Sequence, residues 1–279
     1  MPTKFKDEIE YPPNADKKLL KQFEKDHREE RSRRSKEEHE SFIAKAEEKA
    51  KTAEVLVKHL GLKPEDREQI EKYYRELSEK RQKSKRPSPD VKALQGHNIA
   101  RYAPFDGSGY SQSWGGIAFT TLNGPNASTG QIGADNATYA PGGGISTQSS
   151  VGFWYWAGRS TTLQVVSQVS AYAQGEVVAG LIGYSEAYIG LRTTIKQWMN
   201  PSAQASGETS IYDVSGILAF HLRMGRGGEI FTASVSMPVL AGNWYLITAE
   251  AIQRAYSGVI GFAESTFYAG VGPITYTEH

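Results

Sequence analysis

Four consecutive aromatic residues, Phe153, Trp154, Tyr155 and Trp156, are the side chains in this sequence best suited to binding a ligand. Successive residues of a strand point to opposite faces, so Trp154 and Trp156 share one face and Phe153 and Tyr155 share the other. One pair must face a core. The other pair either forms an outer platform that stacks on sugars or bases, or is covered by a neighbouring element or a partner chain.

Other polar and aromatic residues could extend such a platform. Further along the chain these are Tyr172, Tyr184, Tyr188, Trp198 and Tyr268, although Tyr and Trp are equally enriched at subunit interfaces. Asp106 and Asp135 lie in segments rich in Gly, Asn, Ser and Thr, where loops present oxygen ligands. The candidate ligand-binding set is therefore Trp154, Trp156, Phe153, Tyr155, Tyr188, Trp198, Asp106 and Asp135.

The sequence carries no signature of catalysis. It has no His-Glu-x-x-His, phosphate-loop, Gly-x-Ser-x-Gly or EF-hand pattern, so we expect no enzyme, no catalytic residue, no metal and no cofactor. A glycoside hydrolase is the alternative, and it would need two carboxylates in one site. They would come from Glu176, Glu186, Asp213, Glu229, Glu250 or Glu264, which no spacing groups together.

The chain changes character near residue 95. Residues 1–95 hold 25 of the 32 Lys and Arg, 21 of the 31 Asp and Glu, and none of the five Trp. We therefore predict a charged helical region over 1–95, ending in a basic, Pro-containing linker, and a β domain over 96–279. The excess charge is only four positive in the first region and three negative in the second, so we do not expect nucleic-acid binding.

The charged region predicts helices over about 14–36, 40–60 and 64–82. The first has almost nothing to pack and should be frayed or solvent-bridging. The second has apolar residues at a and d positions of about two and a half heptads. Two interpretations stay open: a hairpin of 40–60 against 64–82, or a coiled-coil-like oligomerisation stalk. The residues that would form the stalk contact are Ile43, Ala46, Ala50, Ala53, Val57 and Leu60.

From about residue 97 the hydrophobic period becomes two, which is typical of strands with one buried and one wet face. The inward sets are Leu163, Val165, Val169 and Ala171; Ala187, Ile189, Leu191, Thr193 and Ile195; Leu218, Phe220, Leu222 and Met224; and Phe231, Ala233, Val235 and Met237. Turn signals at 174–175 and 225–228 are among those that separate the strands. The Gly-, Asn- and Ser-rich composition of residues 104–115 and 123–146 predicts long loops there.

About eight strands without an intervening helical pattern favour an antiparallel β-sandwich of jelly-roll type. The fold class is then α+β, mainly β, with a helical hairpin or coiled-coil-like region before the sandwich. Cysteine is absent, so the chain has no disulfide.

The preferred functional hypothesis is a non-catalytic structural, assembly or recognition protein. Its sandwich makes specific contacts and its helical arm attaches or oligomerises, so the partner is a second copy or another protein. The alternatives are a lectin-like module that binds a glycan, and a secreted or injected effector acting on membranes through residues 176–191.

The first residues lack the apolar core of a secretory signal, and no apolar run approaches the roughly 18 residues of a membrane span. We expect a cytoplasmic location by default, with signal-independent export or assembly into a virion as alternatives.

Overall fold

The computed structural model describes residues 3–9, 17–60, 99–122, 124–179, 184–198, 200, 202–217, 221–258 and 261–279. Within these residues the chain forms one helix, α1 (Lys17–Leu60), and ten strands. The strands are β1 (Thr3–Ile9), β2 (Ile99–Arg101), β3 (Gly107–Leu122), β4 (Gln131–Ala157), β5 (Thr161–Ala179), β6 (Tyr184–Gln197), β7 (Gln204–Ile217), β8 (His221–Val239), β9 (Asn243–Ser257) and β10 (Gly261–Glu278). All the strand pairs are antiparallel, and the chain is mainly β, as predicted.

Strand β4 is long enough to belong to two layers of a sandwich. Its residues 131–139 pair with β10, and its residues 143–157 pair with β9. Layer one has the order β7-β6-β9-β4-β3-β1, and layer two has the order β8-β5-β10-β4-β3, with β2 paired to the end of β10. Because β7 also contacts β8, the antiparallel sheet nearly closes on itself.

The core lies between the two layers and follows the predicted alternation. On β6, Ile189, Leu191 and Ile195 have no exposed surface, and on β5 Leu163 and Val165 have none either. The predicted inward residues of β8 also pack against this core; they are Phe231, Ala233, Val235 and Met237. The side chains of Leu218, Phe220, Leu222 and Met224 lie outside the described part of the chain.

The prediction of long loops over 104–115 and 123–146 was wrong, because most of these residues belong to β3 and β4. The glycines and serines in these two segments allow close packing on both faces of a strand. A Cβ atom added to Gly144 would lie 2.1 Å from Cδ1 of Ile43 in α1. Small residues therefore let a helix approach the outer side of layer one.

Two of the predicted turns also lie inside strands. Gln174 and Gly175 belong to β5, and residues 225–228 belong to β8. A Cβ atom added to Gly175 would lie 2.9 Å from Cγ2 of Val214, in the opposite layer. Glycine at this position follows from layer-to-layer contact and does not indicate a turn.

The helix differs from the prediction in its length and in what it packs against. Residues 17–60 form one helix of 44 residues, which spans about 66 Å at the usual rise. The segment that we expected to be solvent-bridging lies against layer one, where His27 is 7% exposed and Ser35 is 2% exposed. Because this contact is largely polar, an apolar stripe on the helix does not predict it. The predicted partner helix 64–82 lies outside the described residues.

The N-terminal region also contributes a strand that the sequence did not suggest. Residues Thr3 to Ile9 of β1 pair in antiparallel register with residues Ser113 to Gly107 of β3. Strand β1 thereby forms one edge of layer one, so the sandwich includes residues from the charged N-terminal region.

Candidate functional site

The aromatic run 153–156 is divided between the core and the outer side of layer one, as its alternation predicts. Phe153 and Tyr155 are 2% and 5% exposed in the core, which removes them from the candidate ligand-binding set. Trp154 is also buried, with its ring 5.0 Å from that of Trp198. Trp156 stays 48% exposed beside Trp244. Of the four aromatic rings, only that of Trp156 lies open to a ligand.

The remaining predicted residues have structural partners. One carboxylate oxygen of Asp106 accepts the backbone N–H of Trp154 at 2.8 Å. Tyr188 donates a hydrogen bond to Glu208 and lies beneath the guanidinium of Arg254. Asp135 lies on β4 and accepts a hydrogen bond from Tyr268. The structure therefore does not bring the predicted set together at one place.

Helix α1 covers the outer side of layer one, and we call the covered surface the docking face. It consists of Ser113, Gly144, Ser146, Gln148, Ser150, Glu186, Arg192, Lys196 and Arg254. The alternation in β6 predicted a wet face for Arg192, Thr194 and Lys196, but these residues are 6%, 4% and 7% exposed. They are buried because α1 lies over them.

Glu38 is the centre of the contact between α1 and the docking face. Its carboxylate pairs with Arg192 at 2.9 Å, with Arg254 at 3.1 Å and with Arg34 at 2.9 Å. Gln148 donates a further hydrogen bond of 2.8 Å. Burial raises the pKa of the Glu38 carboxyl, but the three guanidinium charges outweigh burial and lower that pKa to about 2. The carboxylate is therefore ionised across the physiological range.

The same network continues along the helix at intervals of eleven residues, which is close to three turns. His27 contacts Lys196 at 3.2 Å, and Lys49 pairs with Glu186 at 2.8 Å. The interval keeps residues 27, 38 and 49 on one side of α1. In the sequence this side is marked by its polar period, and an apolar heptad pattern does not reveal it.

The predicted oligomerisation residues that the structure describes pack within their own chain. Ala46 is fully buried beside Phe42, Tyr184 and Tyr256. Ile43 and Ala50 pack against the same cluster. These three residues of the predicted seam face the sandwich, so no partner helix is needed to cover them. The side chains of Ala53, Val57 and Leu60 lie outside the described part of the chain.

The outer side of layer two has no described element lying over it, and we call it the open face. Its side chains include Phe119, Asp135, Tyr139, Tyr172, Gln174, Phe262, Glu264, Thr266 and Tyr268. Tyr172 and Tyr268 are paired across β5 and β10, and they are 42% and 37% exposed. Their ring centroids lie 6.3 Å apart, at an interplanar angle of 25°.

Hydrogen bonds hold both tyrosine rings of the open face in place. Tyr172 donates to the side-chain oxygen of Gln174 at 2.6 Å, and Tyr268 donates to Asp135. A phenol whose hydroxyl is held in this way loses little rotational freedom when a ligand stacks on its ring. The pair is therefore oriented before any ligand arrives.

A second aromatic group lies on the open face, six residues along β10 from Tyr268. The Tyr139 ring lies 5.9 Å from that of Phe119 and 5.0 Å from that of Phe262. Phe119 is 61% exposed and Tyr139 is 43% exposed. Six residues of a strand span about 20 Å, which separates the two aromatic groups.

Four of the six carboxylates considered for glycoside hydrolysis lie on two different surfaces. Glu186 and Glu250 lie under α1, where Lys49 and the Thr248 hydroxyl hold them. Glu176 and Glu264 lie on the outer side of layer two, so they cannot act on one bond together with the first pair. Among the described residues, no group of three or more His, Asp or Glu side chains could hold a metal ion.

None of the described helices is long and apolar enough to cross a membrane. No protein-family profile and no curated protein matches the chain.

Solved structures similar to part of the chain include the following three. One is an isomalto-dextranase of Arthrobacter globiformis T6 complexed with panose, with 10% identity and a TM-score of 0.22 over 64% of this chain and 23% of that chain. Another is the enzymatically active domain of tailspike protein 4 of bacteriophage CBA120, with 10% identity and a TM-score of 0.20 over 61% of this chain and 19% of that chain. The third is a xylan-binding domain of Paenibacillus barcinonensis, with 9% identity and a TM-score of 0.21 over 60% of this chain and 91% of that chain. The chain spans less than a quarter of the first two proteins. TM-scores at this level carry no argument about fold or function.

Proposed function

We propose that this chain is a non-catalytic carbohydrate-binding protein whose glycan site is the open face. The observation that carries the proposal is the oriented and exposed pair Tyr172 and Tyr268. Sugar rings present C–H groups on one side and hydroxyl groups at the edge, so they stack on aromatic rings while nearby polar groups bind the hydroxyls.

The composition of the open face supports this ligand class. Asp135 and Gln174 lie beside the two rings and offer acceptor and donor atoms to hydroxyl groups. The aromatic group of Tyr139 lies about 20 Å away along β10, a distance that a linear oligosaccharide of several units covers. The carboxylates Asp135 and Glu264 favour a neutral glycan, because they would repel sulfated or carboxylated ones.

We expect Tyr268→Ala and Tyr172→Ala each to weaken glycan binding by about tenfold, equivalent to about 1.4 kcal/mol. Isothermal titration calorimetry with a panel of neutral linear oligosaccharides measures this loss. Trp156→Ala is the matched control, since it removes an exposed aromatic ring from the other layer. The proposal would be wrong if the unsubstituted protein bound no glycan of the panel, or if only Trp156→Ala lost binding.

One observation favours assembly as a second candidate function. Ile117 and Phe119 are 47% and 61% exposed next to Tyr139, and clustered apolar side chains of this kind are typical of protein interfaces. If copies associate through this cluster, Phe119→Lys should shift the mass measured by light scattering from a multimer to a monomer. Equal masses for both proteins would exclude this cluster as the interface.

We also propose that the sandwich is of jelly-roll type. When residues 131–139 and 143–157 of β4 are taken as two strands, layer two has the order β4-β10-β5-β8 and layer one has the order β4-β9-β6-β7. This alternation between layers supports two interleaved Greek keys of eight strands. An experimental structure that placed β9 and β10 in the same layer would overturn the assignment.

A further inference from the structure

A cavity of about 60 Å³ lies between α1 and layer one, away from the open face. It is lined by His27, Arg31 and Arg34 of the helix and by Thr194, Lys196 and Glu250 of the sheet, among others. A water molecule needs roughly 10–15 Å³ of such volume, so the cavity has room for several waters or for one small polyatomic ion.

Lys196 is the most unusual group in the wall of this cavity. It is 7% exposed, and its ammonium contacts Nδ1 of His27 at 3.2 Å. In the described part of the chain, no carboxylate lies within ion-pair distance of its nitrogen. Burial lowers the pKa of Lys196 to about 8, so the side chain still carries its charge at pH 7. Glu30 and Glu250 line the same cavity and act on this charge from a distance, but a buried ammonium that lacks a direct ion pair still favours an anion beside it.

Thr194 adds a second group that lacks a partner. It lies two residues before Lys196 on the same face of β6, and it is 4% exposed. Its hydroxyl is buried and makes no hydrogen bond to any described group. A hydroxyl that lines a polar cavity can donate to an oxygen placed there.

The helix side of the cavity presents two guanidinium groups. Arg31 donates to the Ser150 hydroxyl at 3.0 Å, and Arg34 donates to the side-chain oxygen of Gln204 at 3.4 Å. A guanidinium carries five N–H groups, so Arg34 keeps donors beyond its bonds to Gln204 and Glu38.

Two acidic side chains also line the cavity, but both are engaged elsewhere. Glu30 pairs with Arg33 at 2.6 Å, and Glu250 accepts the Thr248 hydroxyl at 2.9 Å. Arg34 is itself paired with Glu38 at 2.9 Å, so the positive excess around the cavity comes from Lys196 and Arg31.

We propose that this cavity binds a small tetrahedral oxyanion, phosphate or sulfate, between Lys196 and Thr194 of β6 and Arg31 and Arg34 of α1. The volume suits one such ion, and the donors surround it from both sides. Because its ligands come from both the helix and the sheet, the bound ion ties α1 to the docking face. This role is independent of the glycan site on the opposite layer.

The test is thermal unfolding and calorimetric titration of the full chain at pH 7 with sodium phosphate, sodium sulfate and sodium chloride at equal ionic strength. We expect a saturable rise in melting temperature with phosphate or sulfate, and none with chloride. The anion with the lower dissociation constant identifies the preferred ligand.

The variants decide whether the effect comes from this cavity. Lys196→Met should weaken anion binding at least tenfold, and Thr194→Val, which keeps the side-chain shape, should weaken it about threefold. Lys36→Gln is the control, because it removes an exposed cation of the same helix whose ion-pair partner is Glu40, outside the cavity lining, and this variant should bind the anion as the unsubstituted protein does. Equal effects of all three salts, or unchanged affinity in Thr194→Val and Lys196→Met, would overturn the proposal and leave a water-filled cavity.

Discussion

Replacing Glu38 with glutamine is expected to lower the free energy of unfolding by about 3 kcal/mol. Glutamine keeps the size of the side chain but removes the negative charge that faces Arg34, Arg192 and Arg254. Arg192 is 6% exposed, so its charge cannot simply turn into water. Urea unfolding followed by circular dichroism measures the loss.

The neighbouring residue provides the control for this experiment. Glu37 lies on the same turn of α1, but its carboxylate is 58% exposed and pairs only with Arg33 in the described part of the chain, at 2.9 Å. Exposed ion pairs contribute little, so Glu37→Gln should change the stability by less than about 0.5 kcal/mol. Similar losses in the two variants would mean that the buried network does not hold α1 on the sheet.

The second large effect is a loss of stability at low pH. Burial, together with the charge of Arg254, lowers the pKa of His39 to about 4. Its Nδ1 contacts the Ser146 hydroxyl at 2.8 Å, and its Nε2 has no hydrogen-bond partner among the described residues. His27 shifts in the same direction, because burial and the charge of Lys196 lower its pKa. Both imidazoles are therefore neutral in the folded protein at pH 7.

Acidification favours the unfolded chain because its histidines accept protons near pH 6.5 while the folded His39 does not. Stability should therefore be complete above pH 6.5 and fall as the pH drops towards 4. His39 alone contributes a loss of up to about 3 kcal/mol, at about 1.4 kcal/mol for each pH unit. Glu38, whose pKa is also lowered, adds its loss only below about pH 4.5.

Urea unfolding at a series of pH values between 7.5 and 4.5 tests whether the stability falls as the pH falls. His39→Gln keeps a polar side chain that does not titrate, so its stability should change less over the same interval. A profile as steep as that of the unsubstituted protein would assign the acid sensitivity to groups other than His39.

The sequence predicts the regular strands well, because their two faces differ in polarity. In β6 every second residue is apolar, and Ile189, Leu191 and Ile195 are buried as expected. The rule fails where glycine and serine replace larger polar residues on the outer face of a strand. In β4, Gly144 and Ser146 face a helix, so the segment resembles a loop in composition although it is a strand.

The candidate site is harder to derive because it depends on pairing between distant strands. Tyr172 and Tyr268 are 96 positions apart, and only the register of β5 on β10 makes them neighbours. The four aromatic residues 153–156 are consecutive in the sequence, and their division between two faces follows from alternation alone. Which of their rings stays uncovered depends on neighbouring side chains such as Trp198, and the pattern of the strand does not contain that information.

The docking face is built mainly from small and polar side chains. A surface made of glycine, serine, glutamine and ion-pairing side chains is readily hydrated once it is uncovered. Departure of α1 would therefore uncover a largely water-compatible surface, in which Tyr184 and Tyr256 form the main apolar part. Because ion pairs such as Glu38–Arg254 hold the helix on this face, rising ionic strength should weaken its attachment.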